Sequence, residues 1–300
     1  MARRHFAHAK EFDASVENVT VSGYHETSTR KYKMAFLPEI SASKVAGFIG
    51  LHKYQNPTEI AYELLCRNEA AKAKIQEIER THNRRSFHQV LTEVLKDQAI
   101  QDCVATGLRE AQTTPNVTKV LESVQASANL VLSLRHQFPP ELQARLSEEV
   151  RGKVSKQRGL NNETHILDTY EAKKNVKVTE RNTKLIKKPF ETFVLVGRCD
   201  GYVASENRIV DSKDRTRHWP HVPLYDEIQL RCYMNMYDAK ESELIERFPS
   251  GDTRHTVFLN NPQQWETIQT ALTSSVQGLH TALADPEELK RIVFANTVAM

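Results

Sequence analysis

Apolar residues recur at spacings of three and four through much of the first half of the chain, the period of an amphipathic helix. The stretches ASKVAGFIG, Pro57 through Glu79, SFHQVLTEVLKDQAIQDCVATGLREA and TKVLESVQASANLVLSLRHQF follow it and predict helices from about Ser41 to Val150. Pro139-Pro140 ends that series. Beyond it the pattern changes. A helix is predicted from about Gly159 to Lys173, followed by two short runs rich in Val, Ile, Leu and Phe, TFVLVGRC and NRIV. The polar spacer SEN near them predicts a hairpin of two strands. A helix from Tyr225 to Ala239, the strand-like HTVFLN and a long helix from Pro262 to Ala284 complete the predicted elements. With no internal repeat and no low-complexity linker, the expectation is one continuous structural unit. Residues 1–150 form a mainly helical portion packed on an α/β core over 151–300.

Composition adds little to this picture. With 300 residues, 39% hydrophobic and 26% charged, the chain has the make-up of a soluble globular protein large enough for a sizeable core. A net charge of +3 permits an anionic partner without requiring one. Cys66, Cys103, Cys199 and Cys232 are scattered and form no C-x-x-C pair, which argues against a disulfide framework or a structural zinc site and for a reducing compartment. The opening MARRHFAHAK lacks an apolar signal core, and no run approaches the length of a membrane span. The expectation is therefore an intracellular protein, neither secreted nor inserted in a membrane. Neither G-x-x-x-x-G-K-[ST], nor G-x-G-x-x-G, nor G-x-S-x-G is present, which disfavours an ATP-driven motor, a dinucleotide enzyme and a nucleophile-elbow hydrolase.

The candidate chemistry is acidic. Asp200 closes the first apolar run, and Asp211-Ser212-Lys213 ends the second. Strand alternation puts Asp211 and Lys213 on one face and Ser212 on the other, so a carboxylate and an ammonium point at one spot. Two carboxylates gathered there repel unless a cation lies between them, and hard oxygen ligands favour magnesium or manganese over zinc. Lys213 then positions water or stabilises charge developing on a phosphate. Taken alone, a D-x-K triplet reads equally as a solvated strand end with a weak ion pair. Glu163, in the predicted first turn of its helix, shares a face with Leu167 and Tyr170, and reads either as a third carboxylate or as an ordinary helix-start acid. Gln229 and Tyr233 lie one helical turn apart and read as a phosphate-binding pair or as part of an amphipathic core. Arg215, Arg217 and Trp219 form a loop suited to a backbone phosphate and an unpaired base. Lys184, Lys187, Lys188 and the pair Arg84-Arg85 are further basic clusters, each also readable as solvated surface.

The ordered set G-x-x-x-E (Gly159 to Glu163), G-x-x-D-G (Gly197 to Gly201), D-x-K (Asp211 to Lys213) and Q-x-x-x-Y (Gln229 to Tyr233) resembles the PD-(D/E)XK nuclease superfamily. Within it, the YqaJ-like viral recombinase and phage lambda exonuclease branch is the most similar. The stretch ISASKVAGFIGLHKYQNPTEIAYELL, Ile40 to Leu65, is similar to that branch's N-terminal segment. The likeness covers roughly residues 40–66 and 155–240.

That resemblance implies an α/β fold with a restriction-endonuclease-like core, a mixed central β-sheet flanked by helices, and a helical N-terminal portion. It implies that Glu163, Asp200, Asp211 and the Ser212 backbone carbonyl bind Mg2+, for which Mn2+ can substitute. Lys213 would assist the nucleophilic water, Gln229 would support the site, and Ser43 would contact the DNA terminus. Asp211 stands where Glu is more usual, and Cys199 where Pro is common. The implied activity is a magnesium-dependent exodeoxyribonuclease acting on ends of double-stranded DNA in recombination, repair or viral DNA processing. A single-strand-annealing recombinase is a candidate partner, and the host cytoplasm or nucleus the setting if the source is viral. The alternatives are a structure-specific endonuclease or resolvase of the same superfamily, and a non-catalytic nucleic-acid-binding scaffold that retains the fold.

Overall fold

In the computed structural model, which describes residues 36–299, strand β1 (Glu39–Ser41) leads through a 3-10 turn (Ala42–Lys44) into α1 (Val45–Phe48). Next come α2 (Pro57–Leu65), α3 (Glu69–Thr81), β2 (Arg84–Ser86), α4 (Phe87–Val94), α5 (Gln98–Thr113) and α6 (Val117–Arg135). The long α7 (Pro140–Lys174) precedes β3 (Ile186–Pro189), β4 (Val194–Gly197), β5 (Gly201–Val203) and β6 (Arg208–Asp214). The chain closes with α8 (Leu224–Tyr237), β7 (Glu241–Arg247), β8 (Thr253–Leu259), α9 (Pro262–Ala284), α10 (Pro286–Asn296) and β9 (Thr297–Ala299). The fold class is mixed α/β. The segment MARRHFAHAK, read above for a signal core, lies outside the described residues. No helix among the described residues is long and apolar enough to cross a membrane.

Local chemistry sets many of these boundaries. Asn56, Asn261 and Asp285 cap α2, α9 and α10 through their side-chain oxygens, each followed by a proline in the first helical turn, where its missing N–H leaves no bond unmade. Ser86 and Gln89 form a reciprocal capping box at α4.

Helix α7 departs from the sequence reading. Its 35 residues begin at Pro140, so Gly159 lies inside the helix and opens nothing. An interior glycine costs a helix about 1 kcal/mol relative to alanine, and packing at both ends of α7 outweighs that. Leu146, Val150 and Val154 join the apolar cluster of α4, α5 and α6, while Ile166, Leu167 and Tyr170 pack on Val203, Val210 and Ile245 of the sheet. The helix thus runs through residue 150 and links the helical portion to the sheet.

The predicted hairpin is also re-partnered. β4, from TFVLVGRC, does not pair with NRIV; it sits in a three-stranded sheet of order β1-β4-β3, parallel to β1 and antiparallel to β3. The hairpin partner of β6 is the shorter β5, within a mixed four-stranded sheet of order β5-β6-β7-β8 in which β6 and β7 are parallel. β2 and β9 form a separate antiparallel pair.

Candidate active site

The site is built where β5 stops short. Gly201 pairs with Val210, Tyr202 with Ile209 and Val203 with Arg208. The next step of that register sets Asp200 beside Asp211, but no β5 ladder remains there, while β7 pairs β6 along all seven of its residues. From Asp211 onward one edge of β6 is open. Asp200 substitutes for the missing strand: its Oδ2 accepts the Ser212 backbone N–H at 2.9 Å and the Ser212 hydroxyl at 3.2 Å. A strand residue's N–H and C=O point to the same edge. The Ser212 carbonyl therefore also faces this opening.

Strand alternation places Ile209, Asp211 and Lys213 on the face covered by α8, and Val210, Ser212 and Asp214 on the face covered by α7. Asp211 is 1% exposed, and its Oδ2 lies 2.7 Å from the Lys213 ammonium. Its other oxygen, Oδ1, is buried without a hydrogen-bond partner. Burial first, and then the Asp200 charge, push the Asp211 carboxyl up to about 7. The Asp200 carboxyl is raised by burial and by Glu163, with Lys213 opposing. Burial alone would lower Lys213, but Asp211, Asp200 and Asp226 hold it firmly protonated.

Glu163 approaches from the other side. It belongs to α7, and its Oε1 accepts a hydrogen bond from the Asn182 side chain at 2.5 Å. Burial and the Asp211 charge raise its carboxyl, and Lys213 and Arg181 oppose. It is thus in the field of Asp211, Asp200 and Lys213 without touching them. Among the described residues, no three His, Cys, Asp or Glu side chains are gathered as a preformed metal cluster. The smaller set fits a hard cation nonetheless: two carboxylates in each other's field, one with an orphaned buried oxygen, and an open main-chain edge, all offering oxygen.

Other sequence-predicted residues are distributed less simply. Gln229 donates to the Tyr233 hydroxyl at 3.3 Å. Tyr233 is 5% exposed and its ring lies beside Gly197 in the apolar core, so its assignment to a DNA-contacting surface is corrected: its ring belongs to the core behind the site. Burial and the nearby Asp211 raise its hydroxyl pKa. Ser43 is exposed on the 3-10 turn, its Oγ 3.0 Å from that of Ser41.

Arg215 also differs from expectation. Its guanidinium turns inward, 2.7 Å from both Asp226 and Glu246, and leaves 10% of the side chain exposed. Those carboxylates on α8 and β7 capture it before any phosphate could. Arg217 is exposed and lies beside the half-buried Trp219, its guanidinium 4.2 Å from the ring centroid. Arg84 bonds Thr297 and the Phe294 carbonyl, Arg85 pairs with Glu93, and Lys184, Lys187 and Lys188 pair with Glu180, Glu39 and Asp238. Asp226 and Asn182 carried no signal in the sequence. Asp226 looks like any acid in a first helical turn, and Asn182 lies in a loop where nothing marks its partner.

No family model matches this sequence, and no curated protein matches it. Among solved structures, the chain is similar to an alkaline exonuclease from Laribacter hongkongensis, with 17% identity over 55% of this chain and 90% of that one, at a TM-score of 0.37. The same values hold for that exonuclease in complex with dAMP. A phage-related exonuclease from Haemophilus somnus 129PT is similar at 14% identity, over 43% of this chain and 72% of that one, with a TM-score of 0.36.

Proposed function

We propose that this protein is a metal-dependent deoxyribonuclease, an exonuclease that hydrolyses linear duplex DNA from an end in recombination, repair or viral DNA processing. The observation that carries the reading is the pairing of a buried Asp211, one oxygen unpartnered, with Asp200 and the Lys213 ammonium at the open edge of β6. Acids this deep in a protein are retained at a cost in stability, and such sites cluster where chemistry is done.

Asp200, Asp211 and the Ser212 carbonyl would hold a magnesium or manganese ion, with Glu163 supplying negative charge from the α7 side. When bound, such an ion supplies Lewis-acid polarisation of the phosphodiester and a lowered pKa for water. Ser212 keeps Asp200 in place by donating two hydrogen bonds to one of its oxygens, which leaves the other free. Lys213, permanently charged, directs its ammonium into the same space as Asp211 and can orient a water or offset charge developing on a phosphoryl oxygen. Gln229, through Tyr233, backs that space without adding charge.

The test is hydrolysis of end-labelled linear duplex in Mg2+, Mn2+ or EDTA, with Asp200→Ala and Lys213→Ala beside the wild type. Cleavage confined to linear ends, requiring a divalent ion and lost in both variants, is the expected result. Full activity in either variant would remove the assignment, and cutting of closed circles would turn it to an endonuclease or resolvase.

A further inference from the structure

Two loops far apart in sequence meet beside this site and gather aromatic rings and cations. One, between α1 and α2, carries His52, Lys53 and Tyr54. The other, between β6 and α8, carries Arg217 and Trp219. The Lys53 ammonium lies 4.7 Å from the Tyr54 ring centroid and 4.5 Å from that of Trp219, whose ring also holds the Arg217 guanidinium at 4.2 Å. No described carboxylate forms an ion pair with Lys53 or Arg217, and Tyr54 is 61% exposed.

Both loops are held in place. Gly50, in a left-handed conformation with φ +79°, turns the chain out of α1, and the Leu51 N–H returns to the Ala46 carbonyl at 2.7 Å. The His52 ring stacks on Tyr225, the second residue of α8, at 4.1 Å between centroids. On the other side, Arg254 donates to the carbonyls of Trp219 and Pro220 at 2.8 and 3.1 Å. The rings and cations are thus presented by fixed backbone, as a binding surface requires.

This arrangement does little for stability. An exposed tyrosine buries little area, and cations gathered without counter-ions repel. What satisfies it is an anion bearing a flat π-face, which is the chemistry of a nucleotide. Duplex DNA would meet Lys53 and Arg217 with its phosphates but keep its bases stacked on one another, leaving Tyr54 and Trp219 unused. We infer that Tyr54 and Trp219, flanked by Lys53 and Arg217, form a docking platform for an unpaired DNA strand, with bases on the rings and phosphates on the cations.

Its placement relative to cleavage rests on the nuclease reading. Lys213 and Trp219 are six positions apart in the chain, so their backbones lie at most about 20 Å from one another. At about 3.4 Å per nucleotide along one strand, that backbone span corresponds to about six nucleotides from the scissile bond.

The experiment is fluorescence anisotropy in EDTA, with labelled oligo-dT and a blunt duplex of equal length, so that binding is read without cleavage. Tyr54→Ala and Trp219→Ala should each weaken single-strand binding by about tenfold or more, and blunt-duplex binding far less. Tyr54→Phe should keep the wild-type affinity. Lys53→Gln should reduce the dependence of log K on log salt by about one. Thermal melting of each variant separates a lost contact from a lost fold, and Tyr54 is exposed enough to be replaced without unfolding. Unchanged single-strand affinity in folded Tyr54→Ala, equal loss for both DNA forms, or displacement of oligo-dT by polyphosphate as effectively as by unlabelled oligo-dT would each overturn the proposal. Failure of the nuclease reading would appear elsewhere, as cleavage that survives Lys213→Ala, and would leave this binding result standing.

Discussion

Replacing Lys213 by Met removes the ammonium but keeps an unbranched stem of similar length, and separates its charge from its packing. In the wild type that ammonium is 2.7 Å from Asp211 Oδ2 and also opposes the charges of Asp200 and Asp226. Breaking a fully buried ion pair from one side costs about 3–5 kcal/mol. The Lys213 side chain is 25% exposed while Asp211 is 1% exposed, so solvent takes up part of that loss and roughly 2 kcal/mol is expected. For a domain of this size the loss corresponds to a fall in Tm of about 4–8 °C. A divalent cation should reverse it. Ligand at a hundred times its Kd stabilises by about 2.7 kcal/mol, enough to offset the substitution. Moreover, Lys213 competes for the oxygen a cation would use, so Mg2+ or Mn2+ should raise the Tm of Lys213→Met by more than that of the wild type. Asp211→Asn should show a smaller metal response than either. Differential scanning fluorimetry across a metal titration, in EDTA-washed protein, reads all of this without any nuclease assay. Equal apo melting temperatures and equal metal responses for wild type and Lys213→Met would refute the electrostatic account of the site.

Arg215→Ala should act on folding and not selectively on DNA, because it leaves Asp226 and Glu246 buried with one fewer cation; urea denaturation should report a loss of about 3–5 kcal/mol. Gly197→Ala should lose about 1–3 kcal/mol in the same assay, since a Cβ there would stand 2.8 Å from the Tyr233 ring and 3.3 Å from Ala42. Burial pushes the Glu243 carboxyl up, but hydrogen bonds from Tyr170 and His255 and the Arg208 charge outweigh it and hold the carboxyl below its usual range. A depressed folded pKa gives stability that is present above the unfolded value near 4.3 and lost as pH falls through the folded one. Glu243→Gln should therefore be less stable than wild type at pH 7 and lose less of its Tm on acidification below about pH 4.3, as followed by circular dichroism; parallel wild-type and variant profiles would count against that ion network.

What could be read in the sequence was whatever local pattern decides. α9 has the bounds its proline and apolar period announce, and α8 lies within two residues of the predicted helix. Asp211 and Lys213 fall on one strand face as alternation requires. β7 was hidden for a physical reason. Its sequence ESELIER places Glu243 and Glu246 in the interior, where Arg208 neutralises one, with His255 in hydrogen-bond contact, and Arg215 and Arg254 neutralise the other, and all of these partners lie elsewhere in the chain. The same partnerships turned Arg215 away from the surface. A glycine amid polar residues weakens the local helical signal at Gly159, and only the packing of both ends of α7 carries the helix through it. The re-pairing of β4 follows from residues 36–41, whose β1 supplies a parallel partner that no short-range pattern reveals.

The open edge of β6 explains why acids from distant elements share one field. β7 secures the whole strand on one side, so β5 can end after three residues without loss of the strand. The freed edge then needs an acceptor for the Ser212 main-chain N–H, which the Asp200 carboxylate provides. Asp211 and Lys213, on the α8 face, then have a neighbouring strand on the β7 side alone. On the opposite face Asp214, at the end of the same strand, binds Arg158 at 2.9 Å and Asn162 at 2.7 Å, and so fixes the middle of α7 against β6. Glu163 is the next residue after Asn162. Its position near Asp200 and Asp211 is therefore set by the Asp214 clamp on the far face and by Asn182, while Asp200, Asp211 and Lys213 depend on the edge itself. The two halves of the site are held by separate interactions and meet where the short strand ends.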